Sequence, residues 1–316
     1  MKLQSRSYRW ITGGVFVLLF AGLSYAGSIL DGDIERSFNV GPGGRLILES
    51  DIGSIEVRSH NRNTVDVDVL IESRRGGRRV DEFLEDFEVD FRHQGNDVTI
   101  IAEYPRDRWN FWDSIGKYIR VHFRINVPSK YNVDLKTSGG SISVDDLEGE
   151  VVSRTSGGGL EFGRIKGPVK GKTSGGSIRL SSCEGTADVR TSGGSITVGQ
   201  VSGDVYAHTS GGSIHVDEVM GMIDATTSGG SVTASITQQP EHDCRLTTSG
   251  GGITVHLAED IKVDLNASTS GGRVRTDFPV TIRGEISKRS LKAKINGGGP
   301  ELYLRTSGGS ISINEL

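Results

Sequence analysis

Ser195-Ile196-Thr197-Val198 alternates polar and apolar side chains, Val201 follows, Gly203 interrupts, and Val205-Tyr206-Ala207-His208-Thr209 alternates again. A period of two marks a strand with one buried face, and nothing in this unit has the 3.6-residue period of a helix. The unit repeats. Thr137-Ser138-Gly139-Gly140-Ser141-Ile142 returns nearly letter for letter at Thr155, Thr173, Thr191, Thr209 and Thr227, 18 residues apart each time. The interval loosens to 21 residues at Thr248 and Thr269, the motif recurs as Asn296-Gly297-Gly298-Gly299, and it closes with Thr306 to Ile311. A fixed short period predicts a solenoid, in which each coil stacks on the next.

The pleat sets the inward positions. Thr191 and Ile196 are an odd number of residues apart and can share the inner face only if Gly193-Gly194 turns the chain, a place where φ > 0 is expected. Glycines recur at a second place (Gly149, Gly167, Gly185, Gly203, Gly221), predicting a second bend in each coil. The inward columns are then Ile142/Leu160/Ile178/Ile196/Ile214, Val144/Phe162/Leu180/Val198/Val216 and, on the return strand, Val151/Val169/Ala187/Val205/Ile223. The repeated threonines are expected to form an internal hydroxyl ladder bonding coil to coil.

Along the chain, residues 1–26 read as a secretory signal: Lys2, Arg6 and Arg9, an apolar run near Val15 to Leu23, then Ser24-Tyr25-Ala26 before a cut at Gly27. No cysteine sits at that point to carry a lipid. Residues 27–136 read as a β-rich capping region and 137–316 as the repetitive solenoid. Within the cap, Ser50 to Val57 is a degraded copy of the hexapeptide where the stack is expected to begin, and Val65 to Ile71 is a strand. Val80 to Asp86 reads as a short helix, Glu88 to Phe91 pairs with Val98 to Ala102 across Gly95-Asn96, and Tyr118 to Val127 is a strand stopped by Pro128.

A leader, an opening Phe-x-Val-x-x-Gly-Gly (Phe38 to Gly44), a strand ending in Val127-Pro128 and serial Ser-Gly-Gly-Ser-Ile-x-Val together resemble the bacterial putative-adhesin family of exported domains of unknown function. The resemblance covers most of the chain after the leader. It implies a β-solenoid at the cell envelope and brings no catalytic residues with it; fold likeness alone does not assign function.

Composition agrees with a thin core: 34% of residues are hydrophobic, 6% aromatic, and 45 are glycine. The strict apolar register distinguishes the chain from disordered glycine-rich sequence. Removing Lys2, Arg6 and Arg9 from the 36 basic residues widens the excess of the 40 acidic ones, which argues against a nucleic-acid partner. Cys183 and Cys244 fall in inward columns three coils apart, about 14 Å at the inter-strand spacing, and are expected to stay free.

Catalytic patterns fail on spacing. Gly171-Lys172-Thr173 lacks the first glycine and the strand-to-helix setting of a phosphate loop, and no Gly-x-Ser-x-Gly elbow occurs. Asp145 and Asp217 share an outward column but lie about 19 Å apart by strand spacing, well beyond the about 5 to 10 Å between paired glycosidase carboxylates. His208 and His215 flank one corner without carboxylate or cysteine company, so no metal and no cofactor is expected.

Two surface features stand out. Arg106, Arg108, Trp109, Phe111, Trp112, Lys117 and Tyr118 form an aromatic and basic loop, suited to sugar stacking or a membrane interface, or to plugging the open solenoid end. Lys136, Arg154, Lys172, Arg190 and His208 precede successive threonines and face outward, a basic stripe that suits an anionic polymer, an envelope glycan or a lipid surface, or is an inherited solvated face. The sequence therefore predicts a non-enzymatic, exported binding or scaffolding module in the periplasm, on the cell surface or outside the cell. A polysaccharide-active enzyme and a self-assembling structural protein are the alternatives. A monomer is expected, with Phe278 to Gly299 capping the C-terminal end and self-association open only through the last strand, Ser310 to Ile313, read as an edge.

Overall fold

Each alternating run becomes a strand whose apolar side chains meet those of a facing strand, so the coils enclose a core two side chains thick. The computed structural model describes residues 32–73, 83, 87–104, 119–282 and 287–316. The N-terminal strands are β1 (Gly32–Asn39), β2 (Arg45–Ser50), β3 (Ser54–His60), β4 (Thr64–Ser73), β5 (Glu88–Gln94), β6 (Asp97–Glu103) and β7 (Ile119–Pro128). The repeats supply β8 (Asn132–Thr137), β9 (Ile142–Val144), β10 (Leu147–Glu148), β11 (Val151–Thr155), β12 (Leu160–Lys166), β13 (Val169–Lys172), β14 (Ile178–Cys183), β15 (Ala187–Arg190), β16 (Ile196–Val201), β17 (Val205–His208) and β18 (Ile214–Val219). They continue with β19 (Ile223–Thr226), β20 (Val232–Ile236), β21 (Cys244–Thr248) and β22 (Ile253–Leu257). The last strands are β23 (Val263–Thr269), β24 (Val274–Thr276), β25 (Val280–Ile282), β26 (Ser290–Ile295), β27 (Glu301–Thr306) and β28 (Ile311–Glu315).

Two 14-stranded sheets face each other. Sheet 1 runs β1-β4-β7-β3-β9-β12-β14-β16-β18-β20-β22-β28-β24, with β10 paired to β12 off this path, and sheet 2 runs β25-β26-β23-β27-β21-β19-β17-β15-β13-β11-β8-β2-β6-β5. The fold is all-β: only Phe83 of the expected helix at 80–86 is described, and it has helical geometry, with the Phe87 N–H donating to its carbonyl at 2.9 Å. The inward columns are buried as the pleat requires; Ile178, Ile196, Val198, Val205 and Ala187 are fully enclosed. Neighbouring columns compensate in volume. Gly171 leaves room for the ring of Phe162, which a Cβ on that glycine would meet at 3.0 Å. Cys183 and Cys244 are buried and free, and burial pushes both thiols up to about 11.

The corner explains the hexapeptide residue by residue. Thr155, Thr173, Thr191 and Thr209 each donate a hydroxyl proton at 2.7 Å to a glycine carbonyl of the preceding coil: Gly140, Gly158, Gly176 and Gly194. The ladder therefore bonds coil to coil, but through glycine carbonyls and not threonine to threonine. The second glycine of each pair packs directly on the coil below; a Cβ on Gly158, Gly176 or Gly194 would overlap that coil's glycine carbonyl. Close approach, and not the expected positive φ, is what selects glycine there, since none of these pairs is among the positive-φ residues. The serine that follows accepts the next coil's backbone N–H, as Ser177 does from Ser195 and Ser195 from Ser213, at 3.2 and 3.3 Å.

Coil order departs from chain order at both ends. The β2–β3 coil, whose Gly53 carbonyl accepts the Thr137 hydroxyl at 2.8 Å, lies between the β6–β7 coil and the β8–β9 coil that follows it. β1, β4 and β5 then add antiparallel edges, and the Phe38 and Phe91 rings, 6.1 Å apart, bring the ends of the two sheets together. Phe83 stacks on Phe87 and Tyr104, at 5.0 and 5.4 Å, in the same end of the core. The Gly95-Asn96 hairpin forms as expected, while the strand expected to stop before Pro128 includes it.

At the C-terminal end the expectation of an edge strand is corrected. β28 pairs in parallel with β22 on one side and β24 on the other, and β27 with β21 and β23. The last coil is inserted between two earlier ones, so Ser310 to Ile313 is interior to the sheet and offers no free edge for self-association. The antiparallel β25–β26 pair covers β23, which places the described part of Phe278 to Gly299 at the end of sheet 2. The short β24, which follows the exposed Arg273 and contains the exposed Arg275, ends sheet 1.

Candidate functional site

Strand pairing in sheet 2 sets the basic residues side by side. Lys136 is opposite Arg154, Arg154 opposite Lys172, Lys172 opposite Arg190, and Arg190 opposite His208. All five are exposed, and one step is about 4.8 Å, the spacing of hydrogen-bonded strands. The column exists because a constant 18-residue period puts the residue before each corner threonine at the same outward place in every coil.

Three of the five are paired with carboxylates. Lys136 pairs with Glu49 at 3.1 Å, Arg154 with Asp134 at 3.1 Å, and Arg190 with Asp188 at 2.7 Å. Exposed pairs of this kind contribute little to stability, but they lower the field of the stripe. Lys172 has no carboxylate partner among the described residues, nor does Lys170, two residues earlier on the same outward face. Lys170 also lines a shallow cleft of about 150 Å³ with Glu150, Pro168 and Asp188. These two lysines without a salt bridge thus both lie on β13, the centre of the stripe, with Lys170 opposite Asp188, which is itself paired with Arg190. Lys170 was missed as a site residue although its parity with Lys172 was legible; the pairing of Glu49 with Lys136 required knowing that β2 lies beside β8.

Trp109, Phe111 and Trp112, the expected aromatic contact loop, lie outside the described residues, as do the basic residues around them and the leader. His215 faces Asp217 at 2.7 Å, which corrects the expectation that it has no carboxylate company; among the described residues no group of three or more His, Cys, Asp or Glu comes together. Asp145, just past the end of β9, and Asp217, in β18, lie on coils separated by those of β12, β14 and β16. Elsewhere on the surface, Arg164 binds Asp146 of the preceding coil through its side chain and backbone N–H, holding that carboxyl below its usual range. On sheet 1, Asp33 and Asp68 lie in an acidic row with Glu35; burial first, then neighbouring carboxylates, push both upward, while Arg124 pulls them back. No helix among the described residues is long and apolar enough to cross a membrane.

Comparison with known proteins gives likeness without a ligand. No curated protein matches the chain. Among solved structures it is similar to a putative adhesin from Parabacteroides merdae, with 11% identity over 90% of this chain and 96% of that one and a TM-score of 0.38. It is also similar to a putative cell adhesion protein from Clostridium sporogenes (15%, 90% and 100%, TM-score 0.24) and to a putative lipid binding protein from Parabacteroides distasonis (12%, 90% and 96%, TM-score 0.31). Superpositions this loose transfer no site. Residues 44–314 match the profile described as Toastrack DUF4097, from the first coil to the last, and the chain belongs to this Toastrack family of domains of unknown function.

Proposed function

We propose that the protein is an exported, non-enzymatic β-solenoid that acts as an adhesin-like binding or scaffolding module of the cell envelope, holding an anionic polymer or lipid surface against the outer face of sheet 2. The observation that carries this reading is the register of Lys136, Arg154, Lys172, Arg190 and His208 on consecutive strands, with Lys170 and Lys172, without a salt bridge among the described residues, at its centre. Evenly spaced cations on a rigid face suit a ligand with repeated negative charge. A repeating polyanion can meet several of them at once, and each contact adds to avidity. The test is co-sedimentation of the purified chain with vesicles containing anionic phospholipid, and with teichoic acid or lipopolysaccharide, at two salt concentrations. Changing Arg154, Lys172 and Arg190 to Gln weakens binding and flattens its salt dependence, because fewer screened contacts remain. Changing Lys170 and Lys172 together weakens it more than changing the paired Lys136. Unchanged binding by the triple variant, with its circular dichroism intact, refutes the stripe; turnover of a glycan would instead select a polysaccharide-active enzyme.

A further inference from the structure

The coil formed by β27 and β28 fills a slot that the rest of the chain has already built. After Leu257 the chain crosses one coil level through residues 258–262 before laying down β23 and β24, so β21 and β23 are left two strand spacings apart, about 9.6 Å. The later coil enters between them and hydrogen-bonds to both sides. It carries Leu302, Leu304, Ile311 and Ile313, all fully buried. It also completes the corner ladder: the Thr306 hydroxyl donates to the Gly251 carbonyl at 2.6 Å, and the Gly309 carbonyl accepts from Thr269 at 2.7 Å. The coil leads from a single tight turn in which Asn296, Gly297 and Gly298 have φ of 50°, 93° and 90°. The Asn296 side chain ties that turn to the crossover by donating to the Glu259 and Ile261 carbonyls, at 2.8 and 2.9 Å.

We infer that this coil is an exchangeable donor, and that the slot accepts the β27–β28 coil of a second copy of the chain as readily as its own. Every contact of the inserted coil is preserved when the donor belongs to another copy; only the path of residues 296–300 changes, and three successive glycines before Pro300 let it open. Short, tight hinges favour such exchange, and concentration decides between the closed and exchanged forms. The partner is thus an identical chain. The contact is a reciprocal insertion within the sheets, independent of the sheet 2 outer face proposed above to bind ligand.

The full chain is tested by refolding from denaturant at about 1 µM and about 100 µM, a range over which mass action shifts an exchange equilibrium. Thr254 and Ser312 are outward neighbours on β22 and β28, and Thr247 and Arg305 are neighbours on β21 and β27. One chain carries Thr254→Cys and the other Ser312→Cys; they are folded together and oxidised only after folding, when Cys183 and Cys244 are enclosed. A single chain with both changes confirms that the pair can close, and Thr247→Cys with Arg305→Cys provides a second pair, so that whichever closes within one chain is read. The expected result at the higher concentration is a doubling of mass by light scattering together with a disulfide joining the two chains, both lost on dilute refolding. A species that stays monomeric at the higher concentration overturns the inference. So does a dimer without the mixed disulfide, since it must form through another surface.

Discussion

Thr191 donates its hydroxyl proton to the Gly176 carbonyl one coil back at 2.7 Å and accepts the Gly194 N–H of its own corner at 3.3 Å. One buried side chain thus satisfies two backbone groups that a corner would otherwise leave unpaired. Thr191→Val keeps the shape and removes both bonds. A loss of about 1 to 3 kcal/mol is expected, the cost of stranding buried polar groups. Urea denaturation reads it as a lower midpoint at unchanged slope, and Thr191→Ser recovers most of the loss; equal damage from Val and Ser would mean that the methyl group, not the hydroxyl, holds the corner.

The two glycines of one corner are not equivalent. A Cβ on Gly176 would overlap the Gly158 carbonyl, which is backbone and cannot swing away, whereas a Cβ on Gly175 meets the Gly157 carbonyl oxygen only at 3.2 Å. Gly176→Ala is expected to lower the melting temperature much more than Gly175→Ala, since overpacking against fixed backbone costs about 1 to 3 kcal/mol or more. Similar melting temperatures for the two would contradict the close stacking of corners.

Ile196 is fully buried and Thr197 is exposed. Ile196→Asp is expected to unfold the chain, because a buried, unpaired carboxylate costs several kcal/mol. Thr197→Asp is expected to stay within about 0.5 kcal/mol of the parent, as exposed substitutions usually do. Circular dichroism melts of both decide the orientation of this strand.

Asp68 lies in the acidic row on sheet 1, its carboxyl raised by burial, then by Glu35 and Asp66. An acid raised in the folded state binds protons more tightly there than when unfolded, so the stability it contributes is present below its unfolded pKa and lost as pH rises through the folded value. Asp68→Asn is therefore expected to raise the melting temperature at pH 7 and to leave it unchanged at pH 3. A lower melting temperature at pH 7 would show that the attraction of Arg124 outweighs the burial and repulsion.

The sequence by itself determined the strand content, the solenoid, the inward columns from Ile142 to Ile214 and the basic column from Lys136 to His208. These follow from two local rules: the two-residue pleat decides which face a side chain takes, and an exact 18-residue period carries that choice unchanged from coil to coil. The tertiary structure decided what depends on which coil lies beside which. The carbonyl partner of each threonine, the pairing of Glu49 with Lys136, and the insertion of β27–β28 beside Gly251 join residues 15 to 87 positions apart. At the ends the period fails, and with it the assumption that the next coil in sequence is the next in space. There the order is set by which arrangement buries Leu302, Leu304, Ile311 and Ile313 and pairs both edges of their strands, a balance that no local pattern records.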